Sequence, residues 1–209
     1  MTRLAIFDLD GTIIDSVGDL AASVNHALGA VGLPPRSLEE IRGFVGEGAR
    51  LLVERAIAPR TDLLEPALAA WWTHYEAHCL DRTRPYPGID ALLAGAGRVL
   101  AVHTNKPGAL ARRILDGLGL LGHFAVVVGG DEAPRKPDPA GVRLIQDRVG
   151  AGPDETVFVG DSRIDVDTAR AAGVRMVAVT WGLVPREVLV RAGATELVDR
   201  AEELVGLVT

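Results

Sequence analysis

The chain has 209 residues, 48% of them hydrophobic and 24% charged, with a net charge of -6 at pH 7. This length allows one generous domain or a core carrying an insert, and the composition excludes a disordered or collagen-like chain. The acidic balance, with no dense Lys/Arg patch, excludes a general nucleic-acid binder but leaves room for a small anion at a local site.

Leu4-Ala5-Ile6-Phe7 is a short, unbroken apolar run, the pattern of a strand buried on both faces of a parallel sheet. From residue 15 to 84 the strand signal disappears. That stretch predicts successive helices separated at 32–35 and 58–59, with Ser16 and Asp19 as a capping pair opening the first. The polar, proline-rich segment 81–88 predicts the return to the core. Apolar runs at 99–102, 124–128, 157–159 and 176–179 then alternate with helical periods over 108–119, 139–150 and 163–173. The alternation predicts an α/β fold: a doubly wound, Rossmann-like parallel sheet core from residues 1–14 and 85–209, with a helical cap inserted at 15–84. A lone cysteine, Cys79, cannot close an internal disulfide. The charged N-terminus and the lack of an apolar run of about 18 residues make a cytoplasmic protein without a membrane partner the expectation.

Chemistry concentrates at the strand ends. Asp8 and Asp10, two apart on an extended segment, face one way, and Gly11 permits a sharp turn just after them. Such a pair either shares a proton or flanks a divalent cation, although a turn with a capping Asp is the plainer reading. Asp161 and Asp165 follow another buried run, so four acids gather on the edge where open parallel sheets bind ligands. Oxygen ligands without His or Cys suit Mg²⁺, the alternative being that Asp161 only caps the next helix. Thr104 also follows a buried run and offers a hydroxyl beside helix-start amides. The basic residues are twenty Arg and two Lys, and both lysines, Lys106 and Lys136, precede proline. A point charge in place of a planar fork suits phosphate at those two positions.

Asp8-Leu9-Asp10-Gly11-Thr12, Thr104-Asn105-Lys106, Lys136-Pro137 and Gly160-Asp161-Ser162-x-x-Asp165 together resemble the four ordered motifs of the haloacid dehalogenase superfamily. With Phe44-Val45-Gly46-Glu47-Gly48-Ala49-Arg50 in the insert, the chain is most similar within it to phosphoglycolate phosphatases. The resemblance implies a Mg²⁺-dependent phosphatase acting on a small phosphorylated metabolite, first 2-phosphoglycolate. Asp8 would be the nucleophile that becomes an aspartyl-phosphate, and Asp10 the general acid and then base. It further implies metal binding by Asp8, Asp10 (through its carbonyl) and Asp161 with Asp165 in support. Thr104, Asn105 and amides near Gly11 would take phosphoryl oxygens, Lys136 would neutralise charge, and Arg50 would meet the substrate from the cap. Members that cleave carbon to halogen bonds lack the second acid, so Asp10 favours phosphoryl transfer. Two departures are Ile164, where a polar residue is common, and His103, where a small or apolar one is usual. A pyrophosphatase, a sugar-phosphate phosphatase or a phosphomutase would keep the same motifs. A receiver-like phospho-Asp signalling protein is the alternative of another class, disfavoured by the seventy-residue insert.

Three other features read as structure. His74 and His78, four apart, lack the third ligand that a zinc site needs. Trp71-Trp72 reads as packing, and Gly129-Gly130 matches neither a dinucleotide fingerprint nor a P-loop.

Overall fold

In a computed structural model, which describes residues 2–208, the elements run β1 (Leu4–Phe7), β2 (Ile14–Asp15), α1 (Val17–Ala30), α2 (Leu38–Arg42), α3 (Ala49–Ile57), α4 (Leu64–His78), β3 (Arg84–Pro85), α5 (Ile89–Ala94), β4 (Val99–His103), α6 (Gly108–Gly117), β5 (Val126–Val128), α7 (Ala140–Val149), β6 (Thr156–Gly160), α8 (Arg163–Ala172), β7 (Arg175–Val179), α9 (Arg186–Ala192), β8 (Leu197–Val198) and α10 (Val205–Val208). They divide into two compact units, Met1–Ile14 with Pro85–Thr209, and Asp15–Arg84.

The first unit holds a six-stranded parallel sheet of order β5-β4-β1-β6-β7-β8. It is the α/β architecture that the alternating runs predict. All four residues of β1 are buried because the strand has neighbours on both sides and covered faces. Leu4 and Ile6 pack with Ala101, Val142, Ile145 and Phe158 on one face. A side chain of this size contributes about 1.5–3 kcal/mol when fully buried, which lets the centre of the sheet tolerate charged groups at its edge. The chain leaves β1, returns as β4 and β5 on one side, then crosses to β6 on the other. The strand order therefore reverses around β1, and a ligand crevice forms outside the carboxyl ends of β1, β4 and β6.

In the second unit α1 packs along α4, with α2 against α1 and α3 mainly against α4. Ala67, Trp71 and Tyr75, four apart on α4, are its buried stripe, and the Trp71 and Tyr75 rings stack at 4.7 Å. His74 Nδ1 meets Ser23 Oγ at 2.9 Å and His78 Nδ1 meets Asp81 at 2.8 Å, so both histidines have local partners. No helix among the described residues is long and apolar enough to cross a membrane.

Some expectations change. The run at 124–128 becomes a strand only from Val126, and β8, α5, α9 and α10 lie in stretches where the sequence carried no periodic signal. The short strands β2 and β3 stand at the ends of a segment read as purely helical. Ser16 occupies the N-cap position of α1 without a side-chain capping bond. Asp19 is buried and instead accepts from Arg82 N at 3.0 Å and from Thr83 N and Oγ1 at 2.8 and 2.7 Å. A buried carboxylate settles where it finds most donors, and the returning chain offers more than the helix start.

Candidate active site

Asp8 N donates to Val159 O at 2.9 Å, so Asp8 continues the β1–β6 ladder one step beyond β1 and its carboxylate emerges at the strand end. Gly11 then turns the chain with φ 91°, and a Cβ there would lie 2.3 Å from Asp161 Oδ2. Its amide donates to Ile14 O at 2.9 Å, so the turn itself uses it; Gly11 serves by leaving room for Asp161.

The next shell is built around Lys136. Its Nζ lies 2.7 Å from both Asp8 Oδ1 and Asp165 Oδ1, with the lysine side chain only 2% exposed. Asn105 fixes that lysine by its main chain: Oδ1 accepts from Lys136 N at 2.8 Å and Nδ2 donates to Lys136 O at 3.3 Å. Thr104 Oγ1 accepts from Lys106 N at 3.2 Å. Lys106 in turn donates to Asp10 Oδ1 at 2.9 Å. Both lysines that the sequence singles out therefore sit in this cluster, Lys136 on Asp8 and Asp165 and Lys106 on Asp10.

Ser162, not Asp161, caps α8, in a box with Asp165, whose Oδ2 accepts from Ser162 N at 3.0 Å and Oγ at 2.6 Å. Asp161 is thereby left to face inward, accepting from Thr12 Oγ1 at 3.0 Å and Leu183 N at 2.7 Å. Among the described residues it has no ion-pair partner. Gly182 allows this approach, since a Cβ there would stand 2.4 Å from the Asp161 side chain. One carboxylate oxygen from each of Asp8, Asp161 and Asp165 lies within 4.8 Å of the others, the only such group of potential metal ligands among the described residues.

Four carboxylates thus face two ammonium groups. Burial pushes the Asp8 carboxyl up to about 7; Lys136 opposes this and Asp165 adds to it. Burial, then the Asp165 and Asp8 charges, raise Asp161 well above the ordinary carboxyl range. For Lys136 burial acts downward, but Asp165 and Asp8 outweigh it and hold the ammonium above its usual value. A cation would relieve the excess negative charge, and buried oxygen ligands suit a hard divalent one. Exposure separates the acids: the Asp8 and Asp10 side chains are 10% and 13% exposed, while Asp161 and Asp165 are sealed. Of the four, Asp8 and Asp10 are the ones that reach the surface.

Arg50 lies in the other unit, on α3, where its guanidinium pairs with Glu65 at 2.6 Å and both are exposed. His103 is fully buried under the site, its ring edge-on to Phe158. Burial first, then the Lys136 charge, lowers its imidazole to about 4. Sequence reasoning missed Thr12, Ser162 and the Leu183 amide. Ser162-x-x-Asp165 carries a readable capping-box signal; a backbone donor such as Leu183 N carries none.

A family model described as haloacid dehalogenase-like hydrolase matches residues 5–179. The chain is 44% identical over 194 residues to a phosphoglycolate phosphatase of Pseudomonas putida, covering 87% of this chain and 71% of that one. It is 42% identical over 192 residues to a phosphoglycolate phosphatase of Agrobacterium fabrum, covering 87% and 82%. Among solved structures, one from Haemophilus somnus described as a predicted phosphoglycolate phosphatase superposes with a TM-score of 0.92 at 29% identity, covering 100% of this chain and 98% of that one.

Proposed function

Because the chain belongs to the haloacid dehalogenase-like hydrolase family and is a phosphatase of it, we propose that it hydrolyses 2-phosphoglycolate through an aspartyl-phosphate on Asp8, with Mg²⁺. The identity with relatives named phosphoglycolate phosphatase, along most of both chains, carries the substrate reading.

In this reading Asp8 attacks phosphorus and the phosphoester bond breaks as Asp10 gives its proton to the departing glycolate oxygen. Asp10 then takes a proton from water as the water attacks the aspartyl-phosphate, which restores the Asp8 carboxylate and releases phosphate. Splitting one displacement into two steps lowers each barrier. Lys136, in contact with Asp8, offsets charge on nucleophile and phosphoryl group alike. Thr104 presents its hydroxyl to a phosphoryl oxygen, and Asn105 keeps Lys136 in place. Asp8, the Asp10 carbonyl and Asp161 would hold Mg²⁺, with Asp165 behind them, and the ion would supply charge neutralisation that lets an anionic nucleophile approach an anionic phosphate.

The test is phosphate release with Mg²⁺ over a panel of small phosphoesters, in which 2-phosphoglycolate should give the highest kcat/KM. A sugar phosphate or pyrophosphate leading the panel would replace the substrate.

Metal binding has a readout independent of turnover. Asp8 and Asp161 have folded-state values raised above the ordinary carboxyl range. For a raised value the contribution to stability is complete below the unfolded value and is lost as pH rises through the folded one. The metal-free protein should therefore lose melting temperature from about pH 4 to about pH 7, and the gain on adding Mg²⁺ should be larger at the higher pH, where the carboxylates are ionised. Asp161→Asn should remove most of that gain; an unchanged gain would remove Asp161 from the metal site.

A further inference from the structure

We infer that Lys106 selects the leaving group, by holding a carboxylate on the carbon attached to the phosphoester oxygen. This rests on the phosphatase reading above and deepens it.

The two lysines divide the site between them. Lys136 is committed to Asp8 and Asp165 at 2.7 Å each, on the side of the nucleophile, and is sealed. Lys106 stands on the side of the general acid, 2.9 Å from Asp10 Oδ1, with its side chain 6% exposed. To protonate the leaving oxygen, Asp10 must come within about 3 Å of it. A carboxylate carbon bonded next to that oxygen's own carbon lies two single bonds away, about 2.5 Å. The carboxylate carbon therefore stands within about 5.5 Å of Asp10, in reach of an ammonium 2.9 Å from the same acid.

An ammonium carries three donors on a compact charge and can serve Asp10 and a second carboxylate together. With little solvent around it, Lys106 attracts an anion more strongly than an exposed cation would. Arg50 contrasts in being exposed.

The experiment measures kcat and KM for wild type, Lys106→Met and Lys106→Gln with 2-phosphoglycolate and with ethyl phosphate, which has the same heavy-atom length but no carboxylate. The glutamine keeps a donor for Asp10 and removes only the charge. In both variants the ratio of kcat/KM for 2-phosphoglycolate to that for ethyl phosphate should fall about 10- to 100-fold, mainly through KM, the size expected for losing a charged hydrogen bond. Lys106→Arg should recover part of the ratio. Equal losses on both esters would overturn the inference, because Lys106 would then act through Asp10 alone. A wild type with no preference for 2-phosphoglycolate over ethyl phosphate would fail earlier, overturning the substrate reading and the selecting role with it.

Discussion

Asp8→Asn should lower kcat by about 10⁴-fold or more while leaving the fold intact, the scale seen when a covalent nucleophile is removed. The carboxylate emerges at the end of the central strand, is accessible, and touches Lys136; its amide replacement has the same shape and far weaker nucleophilicity. Stability should move the other way. The Asp8 carboxyl is pushed up to about 7 by burial, so ionising it at alkaline pH works against the metal-free fold, and a neutral amide avoids that. Without Mg²⁺ the variant should melt no lower than wild type at about pH 8. Phosphate release and thermal melting on the same preparation check both halves. Activity above about 1% of wild type would rule out the aspartyl-phosphate.

Lys136→Met should be the more damaging substitution for the fold. Its ammonium contacts Asp8 and Asp165 at 2.7 Å each, and the methionine leaves two buried carboxylates facing one another. Removing one partner of a buried ion pair costs about 3–5 kcal/mol. Turnover should also fall, by about 10²–10³-fold, as for the loss of one electrostatic donor to a transition state. Lys136→Arg separates charge from shape: it keeps the cation, but Asn105 grips the main chain at 2.8 and 3.3 Å and fixes where the side chain starts. A planar fork then has to displace Asp8 or Asp165, so activity should remain well below wild type. Chemical denaturation and steady-state kinetics of both variants test this, and wild-type stability in Lys136→Met would contradict the bridging role.

Much of the fold was legible because parallel strands buried on both faces are short apolar runs, and β1 appears in the sequence with the bounds it has in the structure. The terminal elements were not: β8 is only two residues long and α9 seven, too short for a period to declare itself. Within the site, acids at strand ends were readable by position. Their division of labour was not, because it depends on who donates to whom. That Asn105, expected as a phosphate ligand, also spans the main chain of Lys136 is announced by no spacing. Gly11 looked like an amide donor, and its amide is spent on Ile14. Lys106 had no partner in sequence, since Asp10 is 96 positions away.

The place of β1 in the sheet also bears on how the molecule is made. Synthesis delivers this strand first, as four apolar residues, yet its neighbours are β4 on one side and β6 on the other. At about 5–20 residues per second, the ribosome takes on the order of ten seconds to supply the second of them. Until then Leu4 to Phe7 keep at least one bare hydrogen-bonding edge, and the nucleophile just beyond them lacks the acids that complete its site. The nascent chain is therefore sticky before it is reactive: its early vulnerability is aggregation, and premature phosphoryl chemistry is precluded by the order of translation.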